Sequence, residues 1–518
     1  MNQYASLRER PEWVSLETAR GWEPMERTGG LYELRDTSAA IREDGTVLLT
    51  AWEPIFRLRI AWRQEILEPV KILGDHWERG YGDLEWRGIL PERVLPWYVL
   101  ATDGNDVFGW GVKTQPNALC SFRFEADRLI LELDVRCGGD GVLLNGSELP
   151  AAALVEFHST ERPFAAAQAF CRQLCEAPRM PDGPIYGGND WYSAYGNNSS
   201  SLILENSRMV AEWAGDNEVR PFMVIDDGWQ ICHCPVQGYN GGPWMMSNRK
   251  FPEGMEAIAS RMKELGVRPG IWFRPLQTME EAPANWYLKT KETGTFLDPS
   301  VDGVLEWVTK DVKRLSDWGF ELIKHDYSTY DIFGRWGFQM GEELTEPGWH
   351  FSRTDLTTAQ VLKRFYQTLR NAAGEKAMLI GCNTMGHLAA GFFEIQRIGD
   401  DTSGRKWDVT RKMGPNSLAF RMPQHGTFFA ADGDCVGLTC NVPWKKNKQW
   451  LELLSRSGTP LFVSPEAAVV GPEQTAALKR AFSYAAAPAK KPGEPLDWTW
   501  NRTPAKWDLN GEIVSFDW

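Results

Sequence analysis

One stretch decides the fold of this chain: Phe-Met-Val-Ile-Asp-Asp-Gly-Trp-Gln, from Phe222 to Gln230. Its apolar run stops abruptly at two adjacent carboxylates, which a glycine and a tryptophan follow. A short, continuous apolar run is typical of a strand that is buried on both faces in a parallel sheet. We therefore expect Asp226 and Asp227 to open a polar site where this strand ends. Adjacent acids beside an aromatic plate suit a ligand that is rich in hydroxyl groups.

The same pattern recurs along the chain after Pro184. Short apolar strands alternate with amphipathic helices, which predicts an α/β fold with a (β/α)8 TIM barrel over residues 185–488. An open doubly wound sheet is the runner-up, and it loses support because no Gly-x-Gly-x-x-Gly follows the first strand. The eight predicted strands are Ile185–Asn189, Phe222–Asp226, Arg268–Phe273, Glu321–His325, Ala377–Cys382, Glu394–Ile398, Thr427–Ala431 and Pro460–Val463.

The helices between these strands are predicted from apolar residues that recur at helical spacing. One such stripe runs through Leu305, Val308, Val312 and Leu315, and Gly319 is expected to cap the end of that helix.

The regions on either side of the barrel have a different character. Residues 1–160 alternate with period two between turn residues, which predicts an N-terminal antiparallel β-sandwich. A helical linker is expected over residues 161–184, and a small C-terminal β segment over residues 489–518. Two pieces of that last segment are strand-like: Trp498–Trp500 and Ile513–Phe516.

The overall composition limits the partners and the location that we expect for this protein. The chain has 518 residues and a net charge of −13, which argues against nucleic acid or an anionic membrane surface as a partner. No apolar run reaches the length of a membrane span. The N-terminus lacks the apolar core of a signal peptide and the cysteines lack a disulfide framework, so we expect a cytoplasmic protein.

Polar side chains are concentrated where the predicted strands end. In a TIM barrel the active site lies at these C-terminal ends. Carboxylates dominate there, and the motifs His-x-His, His-Glu-x-x-His and Gly-x-Ser-x-Gly are absent from the sequence. This disfavours metal-dependent and serine hydrolases, so no metal is predicted. Two carboxylates that face a sugar ring from opposite sides are what glycoside hydrolysis requires.

Two of these acids are the best candidates for that chemistry. Lys324 and Asp326 lie two residues apart and therefore point to the same side of the strand. A neighbouring ammonium group keeps a carboxylate ionised, as a nucleophile needs. Asp400 lies two strands further on, without an adjacent lysine, so it could hold a proton and serve as the general acid.

Several segments, taken in order, resemble one family. They are Ile225–Trp229, Lys250–Met255, Leu265–Trp272, Lys324–Asp326 and Arg397–Asp401. Together they resemble the α-galactosidase (melibiase) clan, glycoside hydrolase families 27 and 36, and the order agrees from about residue 185 to 465. The segment Asp432–Asp434 is similar to the Asp-x-Asp of the raffinose-synthase-like relatives.

The resemblance implies a retaining, exo-acting glycoside hydrolase that cleaves terminal α-galactosyl-type residues by double displacement. Asp326 would be the nucleophile and Asp400 the acid/base. Asp401 is the second candidate for the acid/base role, because a shift of one residue in the alignment exchanges the two.

The resemblance and the strand ends together give the expected binding residues. Asp226 and Asp227 would hold the hydroxyls on C4 and C6 of the sugar. The full expected set is Asp226, Asp227, Trp191, Trp229, Trp272, Arg274, Lys324, Cys382, Asn383 and Arg397. The expected partner is an oligosaccharide or glycoconjugate, without a cofactor, and the sequence leaves open whether the chain forms homo-oligomers.

Departures from the family pattern keep other functions open. Relatives often carry Trp or Phe where His325 stands, a Glu where Arg274 stands, and a glycine-rich loop in place of Cys382–His387. These changes leave an α-galactosyl transglycosylase or an α-N-acetylgalactosaminidase as alternatives on the same scaffold. A non-catalytic sugar-binding barrel is the alternative from another class, and the presence of both candidate acids argues against it.

Overall fold

The fold consists of four β-sheets with helices packed around one of them. The computed structural model describes residues 2–234, 238–288, 296–489 and 491–518. Along the chain come a six-stranded and an eight-stranded antiparallel sheet, a nine-stranded parallel sheet and a three-stranded antiparallel sheet.

The two antiparallel sheets come from the N-terminal third of the chain, as predicted. Strand pairing follows the period-two pattern: in β1 the side chains of Val14, Leu16 and Thr18 are buried and those between them are half-buried. The sheet orders are β2-β1-β7-β13-β12-β9 and β3-β4-β5-β6-β14-β11-β10-β8. The strands are β1 (Trp13–Thr18), β2 (Gly21–Pro24), β3 (Glu26–Thr28), β4 (Leu31–Leu34), β5 (Thr37–Ile41), β6 (Thr46–Thr50), β7 (Ile55–Arg63), β8 (Lys71–Gly74), β9 (Leu95–Pro96), β10 (Tyr98–Thr102), β11 (Val107–Val112), β12 (Leu119–Phe124), β13 (Arg128–Asp134) and β14 (Glu148–Ser159).

The parallel sheet holds every strand that was predicted for the barrel. All its pairings are parallel, in the order β21-β20-β19-β18-β17-β16-β15-β23-β22. The strands are β15 (Tyr186–Asn189), β16 (Phe222–Ile225), β17 (Arg268–Phe273), β18 (Leu322–His325), β19 (Met378–Gly381), β20 (Ile395–Arg397), β21 (Ala430–Asp432), β22 (Cys435–Leu438) and β23 (Leu461–Pro465).

The seventh predicted strand differs in its bounds. Thr427–Phe429 is not part of the strand, because Thr427 is held in a turn where its hydroxyl donates to the Pro423 carbonyl at 2.7 Å. The strand begins instead at Ala430 and is interrupted by two residues, Gly433 and Asp434, before β22.

Helices connect the parallel strands and cover the sheet. The predicted stripe of Leu305, Val308, Val312 and Leu315 is buried, and Gly319 follows that helix with φ +95°. The helices are α1 (Pro163–Leu174), α2 (Trp191–Ala194), α3 (Ser200–Ala214), α4 (Met255–Glu264), α5 (Asp302–Asp317), α6 (Ser328–Phe333), α7 (Thr358–Ala373), α8 (Gly386–Ala389), α9 (Trp407–Arg411), α10 (Ser417–Arg421), α11 (Trp444–Arg456) and α12 (Pro472–Ala486). Short 3-10 turns lie at Ala284–Trp286, Gly337–Gln339, Met422–Gln424 and Ala467–Val469, and a π-helical turn at Lys412–Asn416.

The C-terminal segment forms a small sheet of β24 (Glu494–Pro495), β25 (Lys506–Leu509) and β26 (Glu512–Ser515). The predicted strand at Ile513–Phe516 is confirmed in part by β26. The predicted strand at Trp498–Trp500 is wrong: these residues form a turn, in which the Asn501 N–H donates to the Asp497 carbonyl at 2.9 Å. The predicted domain boundaries stay a prediction.

Candidate active site

A polar pocket of about 340 Å³ lies at the carboxyl ends of the parallel strands. The ends of β16, β17, β18 and β20 reach it, which is where the carboxyl ends of parallel strands meet. Its lining residues are Arg79, Tyr81, Trp191, Asp226, Asp227, Trp272, Lys324, Asp326, Tyr327, Trp336, Phe338, Asp400 and Asp401.

Other cavities lack this chemistry, and two of them are much larger than the polar pocket. One of about 560 Å³ lies at the other end of the parallel strands, beside Ile185, Ala430 and Pro460. Another of about 870 Å³ lies on the antiparallel sheets, between charged side chains of both signs such as Arg42 and Glu156. Neither contains any of the predicted catalytic acids.

Asp226 and Asp227 form one wall of the pocket and are held by hydrogen bonds from their own strands and loops. The Asp226 carboxylate accepts from Lys324 Nζ and from Asn189 Nδ2, both at 2.7 Å. Burial raises the pKa of Asp226, and the Lys324 ammonium opposes that shift.

The Asp227 carboxylate is fixed by side chains from its own loop. It accepts from Gln230 Nε2 at 2.7 Å and from Asn240 Nδ2 at 3.0 Å, and His233 Nδ1 lies 3.0 Å away. With these bonds the carboxylate has a fixed orientation before any ligand arrives.

Asp326 follows β18 and faces the pocket. Trp272 Nε1 donates to its Oδ2 at 3.0 Å, and the Tyr327 N–H donates to its Oδ1 at 2.7 Å. Burial acts to raise the pKa of Asp326, but the positive charges of Arg79 and Lys324 outweigh it and hold that pKa below its usual value. Asp326 is therefore an ionised carboxylate at neutral pH.

Asp400 and Asp401 follow β20 and share one partner, the guanidinium of Arg79. Arg79 Nη2 lies 2.8 Å from Asp400 Oδ1, and its Nη1 lies 3.7 Å from Asp401 Oδ1. Arg397 Nη2 also lies 3.3 Å from Asp401. Burial raises the pKa of Asp400, with Arg79 opposing and the charge of Asp401 adding to the increase.

The structure brings most of the predicted site residues to this pocket. The predicted residues that line it are Trp191, Asp226, Asp227, Trp272, Lys324, Asp326, Asp400 and Asp401. Five others do not line it and are buried behind its walls: Trp229, Arg274, Cys382, Asn383 and Arg397.

These five residues make hydrogen bonds and ion pairs with protein groups, which explains why they lie behind the pocket walls. Trp229 is fully buried and donates its Nε1–H to the Trp272 carbonyl at 3.0 Å. Arg274 pairs with Asp331 at 2.5 Å and hydrogen-bonds to Asn240. Trp229 and Arg274 therefore support residues that line the pocket, and a direct contact of their side chains with a ligand stays a prediction.

Cys382, Asn383 and Arg397 also bond to protein groups. Asn383 Nδ2 donates to both carboxylate oxygens of Glu78, at 2.9 and 2.8 Å. Arg397 Nη2 pairs with Asp434 at 3.0 Å, and its Nη1 donates to Cys382 Sγ at 3.5 Å. These residues form a polar layer beneath the pocket.

One departure from the family pattern lies away from the pocket. His325 is fully buried among Phe365, Tyr366 and Phe393, and it hydrogen-bonds to the Ser328 hydroxyl. Burial lowers its pKa to about 3, so the imidazole is neutral. Because side chains alternate along a strand, His325 points away from the pocket that Lys324 and Asp326 face.

Sequence reasoning missed five lining residues. Tyr327, Trp336 and Phe338 follow β18, and their signal was an aromatic-rich stretch directly after the predicted nucleophile. Arg79 and Tyr81 lie between β8 and β9 of the antiparallel sheets. The segment around them lacks period-two alternation, which marks a loop, but nothing in the sequence ties that loop to the barrel.

Two searches gave negative results within the described part of the chain. No group of three or more His, Cys, Asp or Glu side chains is arranged to hold a metal ion there. None of the helices in the same ranges is long and apolar enough to cross a membrane.

A parallel α/β sheet with several carboxylates around one pocket at its strand ends is an arrangement that suits glycoside hydrolysis. Comparison with known proteins identifies the family that the chain resembles. A family model described as Melibiase matches residues 188–314. The α-galactosidase AgaA of Geobacillus stearothermophilus is 29% identical over 87 residues, which cover 17% of this chain and 11% of that protein. An α-galactosidase of Escherichia coli is 25% identical over 165 residues, 30% of this chain and 22% of that protein. The matches thus span less than a quarter of either relative.

Solved structures resemble the whole chain. The α-galactosidase TtGalA of Thermus thermophilus, in complex with p-nitrophenyl α-D-galactopyranoside, has a TM-score of 0.61 at 18% identity, covering 97% of this chain and 99% of that one. A variant of the family 36 α-galactosidase AgaA from Geobacillus stearothermophilus, in complex with 1-deoxygalactonojirimycin, has a TM-score of 0.58 at 14% identity, covering 94% of this chain and 72% of that one. The chain is thus similar to the melibiase family in sequence over residues 188–314, and it shares the fold of the family 36 α-galactosidases over nearly its whole length.

Proposed function

We propose that this chain is a retaining, exo-acting glycoside hydrolase that removes terminal α-galactosyl-type residues from oligosaccharides or glycoconjugates. One observation carries the proposal: Asp326 and the Asp400–Asp401 pair line the same small pocket, whose other wall is the hydrogen-bonded pair Asp226–Asp227. A closed polar end suits the removal of a single terminal sugar.

Asp326 is the nucleophile in this proposal. Its carboxylate is ionised, and Trp272 and the Tyr327 N–H hold its two oxygens in a fixed orientation. Attack on the anomeric carbon forms a covalent glycosyl-enzyme and releases the leaving-group oxygen. Water then hydrolyses that intermediate, and the anomeric configuration is retained.

The Asp400–Asp401 pair supplies the acid/base. Both carboxylates of this pair lie close to the guanidinium of Arg79, at 2.8 and 3.7 Å. Two observations support Asp401 as the group that delivers the proton. Its side chain is 45% exposed, against 31% for Asp400, and its negative charge acts on Asp326 to raise the pKa of the nucleophile. Asp400, at 2.8 Å from Arg79, then acts as its anchor.

Asp226 and Asp227 hold the sugar hydroxyls. Both carboxylates are already oriented by protein donors, and each keeps lone pairs that can accept further hydrogen bonds from hydroxyls. Lys324 adds a donor beside them. This arrangement fits the axial C4 hydroxyl of a galactose-type ring.

The leaving group lies against an aromatic rim. The rings of Tyr81 and Phe338 are 5.3 Å apart, and Phe338 is 62% exposed at the mouth of the pocket. Trp336 also lines the mouth. An exposed flat ring beside the catalytic acids offers a face on which a second sugar or an aryl group stacks.

We also propose that the nine-stranded sheet closes into a (β/α)8 barrel. Its two edge strands, β21 and β22, are separated along the chain by Gly433 and Asp434 alone. β21 pairs with β20 and β22 pairs with β23, so the two edges are halves of one interrupted strand. Joining them completes a ring of eight strands.

The decisive experiment is a screen of the purified chain against aryl α-galactoside, α-N-acetylgalactosaminide and β-L-arabinopyranoside, with the first product read by NMR. We expect turnover of the α-galactoside and an α-configured first product. Adding a sugar acceptor separates hydrolysis from transfer, because transfer yields a longer oligosaccharide. A β-configured first product would contradict retention, and no turnover of any substrate would contradict the function.

A further inference from the structure

A segment of the antiparallel sheets completes the pocket of the parallel sheet. This segment, residues 75–84, is the first part of the connection from β8 to β9, and it contacts the loop after β20. We refer to it as the bridging segment. The Gly80 N–H donates to the Ile398 carbonyl at 2.8 Å, and the Asp400 N–H donates to the Gly80 carbonyl at 2.7 Å. The backbone beside the candidate acids is therefore hydrogen-bonded to this segment.

Arg79 is the residue of the bridging segment whose side chain contacts Asp400 and Asp401. It is 5% exposed, so its guanidinium is enclosed by protein. Besides its ion pairs with Asp400 and Asp401, at 2.8 and 3.7 Å, its Nη1 donates to Cys382 Sγ at 3.4 Å. Trp336 packs over it, with the guanidinium carbon 5.9 Å from the ring centre.

Glu78 fixes the position of Arg79 from the other side. It is 2% exposed and accepts two hydrogen bonds from Asn383 and one from the Gly337 N–H, the last at 3.3 Å. Adjacent residues of the bridging segment thus bind the loops after β19 and after β18. Glu78 thus fixes the backbone next to Arg79, while the guanidinium itself is held by Asp400, Asp401 and the Tyr81 hydroxyl, which accepts from Arg79 Nε at 3.2 Å.

We infer that Arg79 is a positioning residue that keeps the nucleophile ionised and orients the acid/base pair, so that the antiparallel sheets set the working pH of the barrel. The inference rests on the proposed function. Within the described residues, no other cation bridges both Asp400 and Asp401. The inference therefore gives the N-terminal region a part in the reaction that the residues at the strand ends do not supply.

The charges around Arg79 determine the direction of its effect. The charged and titratable groups that face it are Asp326 after β18, Asp400 and Asp401 after β20, Arg397 on β20, Cys382 after β19, and Glu78 and Tyr81 of its own segment. Burial raises the pKa of Glu78 to about 7, so Glu78 is not a fully ionised partner. Arg79 carries its charge across the working pH range, and removing that charge raises the pKa of both Asp326 and Asp400.

The test compares the full-length R79A, R79K and R502A variants. Arg502 is the matched control, because it pairs with Asp83 of the same segment at 3.3 Å, is 59% exposed in its side chain and does not line the pocket. We expect R79A to lower kcat by about tenfold to a hundredfold and to move the acid limb of the kcat/KM profile upward by about one pH unit. R79K should keep the wild-type pH limb but recover only part of kcat, since an ammonium cannot bridge two carboxylates.

Guanidinium ion, at concentrations far below those that unfold proteins, provides a second readout. It should restore part of the R79A activity and shift its acid limb back, while ammonium ion and the R502A variant show no such response. A folded R79A variant with wild-type kcat and an unmoved pH profile would overturn the inference and leave the proposed function intact. A wild-type chain that turns over none of the substrates would overturn both.

Discussion

Two pairs of adjacent aspartates line the same pocket and are held in opposite ways. The side chains of Asp226 and Asp227 are 4% and 8% exposed, and they accept hydrogen bonds from residues of the parallel sheet and its loops. The side chains of Asp400 and Asp401 are 31% and 45% exposed, and both lie close to Arg79, from the connection between β8 and β9. Arg397 of β20 also pairs with Asp401.

On the proposed function, this difference corresponds to a difference between sugar binding and acid/base chemistry. A carboxylate fixed by several donors has a constant charge and geometry, which suits the recognition of hydroxyls. A carboxyl that is more exposed and has few direct hydrogen bonds is better placed to exchange a proton with a substrate during a reaction. The same dipeptide therefore serves two purposes, and the number and origin of its partners decide which.

The largest loss of activity is expected when Asp326, the proposed nucleophile, is substituted. Asp326→Ala removes the atom that would attack the sugar, and we expect kcat to fall by about 10⁴-fold or more. The measurement is initial rate on an aryl α-galactoside, with a melting curve to show that the variant is folded. Near-normal activity would contradict the role of Asp326 as the nucleophile. The comparison of the two aspartate pairs, which assumes that role, would then have no basis.

The second-largest loss of activity distinguishes Asp401 from Asp400. Asp401→Asn removes the proton that the leaving oxygen receives, so kcat should fall by about 10²- to 10³-fold on a natural disaccharide. The loss should be smaller on a p-nitrophenyl substrate, whose leaving group needs little protonation. Asp400→Asn should lower both rates by the same, smaller factor. The reverse pattern would assign the acid/base to Asp400.

The third effect concerns the hydrogen-bonded pair. In Asp227→Asn the new amide cannot accept from both Gln230 and Asn240, so it loses the orientation that holds the sugar. We expect kcat/KM to fall by about a hundredfold, with both constants affected. Mass spectrometry of the variant during turnover should detect no accumulated covalent intermediate. Accumulation would give this pair a part in the second chemical step.

The smallest effect is expected at the rim. Phe338→Ala removes an exposed ring without unpairing a buried group, so KM for an aryl galactoside should rise about threefold while kcat stays the same. A substrate with a methyl leaving group should show no change. Equal losses on both substrates would mean that Phe338 acts on the sugar end of the pocket.

The sequence was sufficient for the residues at the strand ends. Because parallel strands end at one edge, the apolar runs before Asp226 and Asp326 predicted that these acids meet, and the structure brings both to the pocket. The interrupted strand at Gly433 was not predicted, because a break of two residues leaves no signal in an apolar pattern.

The contribution from outside the parallel sheet could not be predicted. Whether Arg79 reaches the acids depends on how two sheets far apart in sequence pack together, and no local periodicity encodes that contact. Similarly, Arg274 and Asn383 follow strand ends as binding residues do, but tertiary partners turn them into supports. Position along a strand predicts the region that a side chain occupies, and its partners decide whether a ligand contacts it.

The backbone hydrogen bonds between Gly80 and the end of β20 have a consequence for how such chains diversify. If the parallel sheet and its helices were recombined with a foreign N-terminal module, they would retain Asp226 and Asp227 and lose the charge that Arg79 places beside Asp400 and Asp401. Gene fusion or deletion at this junction would therefore change the pH at which the enzyme works before it changed the sugar that the enzyme accepts. The two properties are inherited on different stretches of the gene.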